Sequence, residues 1–262
     1  MRHGEGMPDG DGPRIRALRR RRQRRRRRTQ LVATGLATLA AAVGVVRVHP
    51  SAHPARGAGP VPSPVASPTP SVPATGPGTF SYAVGSPDVV GAGAAAVKTY
   101  RVAVEDGTGQ DGAAFAQAVR QLLADPRGWT AGGDVRFQQV APDAKQVSFT
   151  ITLATPGTVD KVCAEGGVHT DGYLSCRLPG QLMINLARWL TGVRGYGAGL
   201  DEYRAYEINY AVGRELGHPN ESCPGRGQPA PVMQKQPLGL KGCTANGWPY
   251  RDGKRYSGPA VP

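Results

Sequence analysis

Residues 203–233 read YRAYEINYAVGRELGHPNESCPGRGQPAPVM, and the reading of this stretch decides what surrounds it. Ile208, Val212 and Leu216 recur at four-residue spacing, so a helix would bury them on one side. Tyr206, Tyr210, Gly213, Arg214 and Gly217 fall on a neighbouring face, with Tyr210 and Arg214 as an i,i+4 pair whose side chains can meet. Gly217 suits a C-terminal cap and Pro219 forbids continuation, which predicts a helix from about Leu200 to Gly217. An amphipathic core helix with a defined end accounts for most of these residues.

Upstream, Val97–Glu105 (VKTYRVAVE) alternates and is β-branched, as a strand requires. Residues 112–124 (GAAFAQAVRQLLA) space Phe115, Val119, Leu122 and Leu123 as a helix does, with Asp111 as cap and Asp125-Pro126 as stop. Val135–Val140 and Val147–Leu153 read as further strands, and Leu182–Leu190 as a strand to about Ala187. Strands around one early and one late helix make the fold class α+β. After His218 the chain reads as loop, ending in the disordered-looking RYSGPAVP.

The formal net charge of +13 belongs to one end of the 262-residue chain. Residues 1–30 carry +9, residues 31–79 carry +2, and residues 80–262 carry only +2. The domain therefore lacks the basic footprint of a phosphate binder, and no nucleic-acid partner is expected for it. Leu31–Val46 is an uncharged run of 16 residues between arginines, short of the roughly 20 that cross a bilayer. Arginines that snorkel make up part of the length, so residues 31–48 are expected to be a transmembrane anchor after a basic cytoplasmic tail, residues 1–30. A cleaved secretory signal and a twin-arginine signal stay open as alternatives. All three put the domain outside the cytoplasm.

Residues 49–79 are Pro, Ala, Ser and Gly of low complexity, which reads as a solvated spacer before a domain of residues 80–262. All four cysteines fall in that domain, and an even number in an exported chain predicts two disulfides. Three pairings are open. The local one, Cys163–Cys176 and Cys223–Cys243, is favoured because each pair brackets a Gly-rich loop. The spacings match no zinc ribbon, and no GxSxG or phosphate loop is present.

YRAYEIN, VGRELGHPNESCP, PAPVMQKQPLGLKGC, NLARWLTG and NGWPY carry a resemblance. With them the sequence resembles a family of exported, membrane-anchored proteins, domain of unknown function 3152, itself similar to the metzincin zinc proteases. The resemblance implies a metzincin-like domain with a mixed sheet, an upper helix and an active-site-type helix. In the metzincin pattern HExxHxxGxxH, two His one turn apart bind Zn²⁺, the Glu activates water, and Gly turns the chain toward a third His.

Here Tyr210, Arg214 and Asn220 stand at the three His positions and Ala211 at the Glu position. Gly217 is kept, Glu221 resembles an acid that follows the third His in some members, and Met233 stands where a Met-turn would underlie the metal. Arginine stays protonated and offers only donors, so it cannot be a ligand. Zinc is the family's expectation, but its ligands are absent, so no metal, no cofactor and no catalytic residue is expected. The expectation is an inactive pseudo-metalloprotease, monomeric, whose cleft holds Tyr210, Arg214, His218, Asn220, Glu221 and Met233 and takes a peptide or cell-envelope ligand. An active zinc hydrolase with an unconventional site and a purely structural envelope protein are the competing readings.

Overall fold

The computed structural model describes residues 71–261. The expected tail (1–30), the expected anchor (31–48) and residues 49–70 of the spacer lie outside the described residues. No helix among the described residues is long and apolar enough to cross a membrane.

The centre is a seven-stranded mixed sheet. Its strands are β1 (Phe80–Tyr82), β2 (Val89–Val90), β3 (Val97–Glu105), β4 (Arg136–Gln139), β5 (Phe149–Ala154), β6 (Cys176–Leu178) and β7 (Gln181–Asn185). They run in the order β2-β4-β3-β5-β7-β6, with β1 pairing beside β3. The four middle strands are parallel, and β1, β2 and β6 are antiparallel to their neighbours. Parallel neighbours need crossovers long enough for a helix. One is α1 (Gly112–Ala124), between β3 and β4, whose Asp111 cap accepts from Ala113 N and Ala114 N.

Burial separates the two faces of the sheet. On β7, Leu182 and Ile184 join the large core under α1 and α4 (Leu200–Glu215). Met183 points the other way, to a smaller core with Val159 and Cys163 of α2 (Pro156–Glu165). The expected strand through Ala187 ends sooner, because Asn185 Oδ1 accepts from Ala187 N and Arg188 N and starts α3 (Leu186–Thr191). Both disulfides form with the local pairing, Cys163–Cys176 tying α2 to β6 and Cys223–Cys243 closing the later loops.

Two segments that composition reads as unstructured are docked. In residues 71–79, Val72 packs on the large core and Ala74 O accepts from Gly157 N at 2.9 Å. At the C-terminal end, a short strand, Ala260–Val261, pairs with β8 (Asn220–Glu221), and Tyr256 OH donates to Pro229 O. Backbone pairing and one half-buried ring hold a tail whose composition gives no periodic signal.

Glu105, at the end of β3, fastens the first of these segments. Its carboxylate accepts from Gly78 N, Thr155 N and Thr158 Oγ1 at 2.5–2.9 Å. Burial alone would raise its pKa, but these bonds outweigh it and hold the group below the usual carboxylate range. Glu105→Ala is expected to cost about 2–3 kcal/mol at neutral pH, since it leaves buried donors unpaired. A depressed native pKa stabilises above the unfolded value of about 4.3 and stops doing so as pH falls through the native value. Urea midpoints should therefore show the penalty at pH 7 and a smaller one near pH 3; an equal penalty at both would show that the charge is not what matters.

Candidate functional site

The site is built on α4. Asp201 and Glu202 occupy its first turn and Arg214 its last, each complementing the helix dipole. Ile208 and Val212 are fully buried against the sheet, as their spacing predicts. The helix ends in a Schellman turn, in which His218 N donates to Gly213 O at 2.9 Å and Gly217 N to Arg214 O at 3.2 Å. Gly217 takes φ +92°, the left-handed conformation that favours glycine.

Beside this helix lies a cleft of about 240 Å³. Glu207, Tyr210, Ala211 and Arg214 form its floor at i, i+3, i+4 and i+7. Ser175, Cys176 and Arg177, at the edge strand β6, form one wall, and Asn220, Lys235 and Leu238 another. His169, which sequence context suggests is a plain turn residue, also lines it. Arg177 Nε also reaches Glu215 Oε2, at the end of α4, at 2.7 Å.

The six residues expected at the site separate into three groups. Tyr210, Arg214 and Asn220 do line the cleft together. Tyr210 OH donates to Asn220 Oδ1 at 2.9 Å, and burial pushes the phenol up to about 12 despite the charge of Arg214. Arg214 donates from Nη1 to His218 O at 2.6 Å, rather than resting on the Tyr210 ring. Glu221 faces a more open hollow of about 440 Å³ that shares Asn220 and Lys235 with the cleft. Its carboxylate is tied to Arg255 Nη2 at 2.9 Å and Gly258 N at 3.1 Å.

His218 and Met233 lie outside both spaces. The His218 ring stacks on Trp129 at 4.3 Å, and burial followed by the charge of Arg255 lowers its pKa. The ring is packed on an indole instead of lining the cleft that the sequence reading assigned it to. Met233 is fully buried, with its sulfur 2.5 Å from where a Cβ on Gly213 would stand, so it lies directly beneath the helix.

Sequence reasoning missed Glu207, which is 4% exposed in the cleft floor. Tyr203 OH donates to its Oε1 at 2.7 Å, and Ser175 Oγ donates to Oε2. Burial raises its pKa, opposed by those two bonds and by the charge of Arg188. The one available signal is a carboxylate directly beside Ile208, on the helix face that also carries Tyr203, Tyr210 and Ala211. Among the described residues, no group of three or more His, Cys, Asp or Glu could hold a metal ion.

A family model described as protein of unknown function (DUF3152) matches residues 66–248, and the chain belongs to that family. The match starts within the Pro-rich segment, consistent with the docking of residues 71–79. No curated protein and no solved structure matches the chain.

Proposed function

We propose that the protein is a membrane-tethered, extracytoplasmic domain on a metzincin-like scaffold that no longer runs zinc hydrolysis and uses its cleft to bind a peptide. The single observation that carries the binding reading is the cleft itself, with Tyr210, Arg214 and Asn220 on its lining beside an edge strand. Among the described strands β6 pairs only with β7, which leaves its outer edge for an extended ligand backbone. The remaining guanidinium donors of Arg214 suit a carboxylate.

Two features support the scaffold reading. Gly217 turns the chain out of the helix toward Asn220, and Met233 lies beneath the helix, the positions that the resemblance assigns to them. The donor set does not fit zinc: a guanidinium stands in place of a ligand, and Tyr210 spends its proton on Asn220. The two disulfides support an oxidising compartment.

The test is binding of a panel of fluorescent peptides, each with a free and an amidated C-terminus, to the full-length protein. We expect binding that Arg214→Ala weakens about tenfold or more, the loss due to a charge-assisted hydrogen bond. Unchanged affinity removes Arg214 from the site, and no binding by any peptide sinks the reading. Retention of one zinc per chain after dialysis would overturn the loss of the metal centre.

A further inference from the structure

The cleft holds one arrangement that peptide binding does not use. Ser175 directly precedes β6, and its Oγ accepts from Asn185 N at 3.0 Å while donating to Glu207 Oε2. Glu207 Oε1 is in turn held by Tyr203 OH at 2.7 Å. A hydroxyl bound to a carboxylate, which a third group orients, is the order in which a nucleophile, its base and a positioning residue stand. Ser175, which is half-buried, and Glu207 both line the cleft.

A structural polar network would explain the hydrogen bonds equally, but not their position facing a cleft beside two guanidinium groups, those of Arg177 and Arg214.

We propose that Ser175 is a nucleophile and Glu207 its general base, for metal-independent acyl transfer from a carboxylic ester or peptide carbonyl bound in this cleft. Glu207 Oε2 takes the Oγ proton as the Oγ–carbon bond forms. Collapse of the tetrahedral adduct breaks the bond from carbon to the leaving oxygen or nitrogen, which departs with that proton. Water then attacks the acyl-serine, gives a proton to Glu207 and releases the acid, and Ser175 Oγ recovers the proton. Arg177 and Arg214 line the same cleft, and their positive charge there favours an oxyanion. Burial raises the pKa of Glu207, which strengthens it as a base once ionised. The proposal goes beyond the binding reading and shares only the cleft with it.

The experiment treats the full-length protein with a biotinylated alkyl fluorophosphonate, which forms a P–O bond to an activated serine and expels fluoride. The modified residue is then mapped by mass spectrometry, with thermal melts of every variant in parallel. We expect Ser175 to be labelled, at a rate that rises with pH through an ionisation above the ordinary carboxylate range. Ser175→Ala and Glu207→Gln should each cut labelling at least tenfold, and Tyr203→Phe, which removes the positioning contact, by less. Absence of label on wild-type Ser175 overturns the proposal, and so does undiminished labelling of a folded Glu207→Gln. The wild-type mapping stands by itself if a substitution unfolds the chain. Since the probe needs no peptide affinity, labelling without peptide binding would leave this inference standing while the binding reading fails.

Discussion

Gly213→Ala should lower the melting temperature by about 4–8 °C, although alanine is the better helix former by about 1 kcal/mol. A Cβ at position 213 would stand 2.5 Å from both Met233 Sδ and Trp129 Cζ2. Trp129 cannot easily yield, because its Nε1 donates to Asn209 O at 2.8 Å and its ring is stacked on His218. Met233 is fully buried within the large core. Overpacking of this kind costs up to about 3 kcal/mol, which leaves a net loss of about 2 kcal/mol after the gain in helix propensity. Circular dichroism melts of the two proteins decide it. A variant that melts at or above the wild-type temperature would show that Met233 shifts freely, and that the base of the cleft is not rigid.

Removing the Cys163–Cys176 bridge by alanine at both positions should cost about 3 kcal/mol, or a melting temperature about 6–12 °C lower. The two cysteines are 13 residues apart in sequence, and closing a loop of that order accounts for most of the loss. Both are buried in the smaller core, so truncation also removes packed sulfur. The consequence reaches the site, because Cys176 begins the edge strand whose neighbours Ser175 and Arg177 form the cleft wall. Peptide binding and fluorophosphonate labelling should therefore both weaken in this variant under conditions where it is still folded. A melting temperature within about 1 °C of the wild type would place the stability of this region in the sheet rather than in the bridge.

What could be read from the sequence is what local chemistry specifies. β3 and α1 are present as expected, because a period of two and a capped period of 3.6 are visible within a few residues. The helix α4 is legible for the same reason, and its register places two of the named residues, Tyr210 and Arg214, in the cleft with Asn220. The helix α2 escaped because Gly157 follows Pro156 at its start and obscures the spacing of Val159, Val162 and Cys163. β6, three residues long, carries no period, and only pairing with β7 defines it. The docking of residues 71–79 depends on Glu105, distant in sequence, and the placement of Ser175 against Glu207 joins residues 32 apart. His218 was misplaced for a related reason, since its partner Trp129 comes from a distant turn.

The bond from Arg214 to the His218 carbonyl makes one of the cleft's cations part of the frame that ends α4. A ligand that draws the guanidinium away from this carbonyl also loosens the glycine turn. His218 would shift with it, and the Trp129 indole stacked on that ring would register the change. Occupancy and helix termination are therefore linked free energies: a ligand that draws Arg214 off this carbonyl binds with an affinity reduced by the cost of reopening the turn, and tryptophan emission is expected to report its arrival.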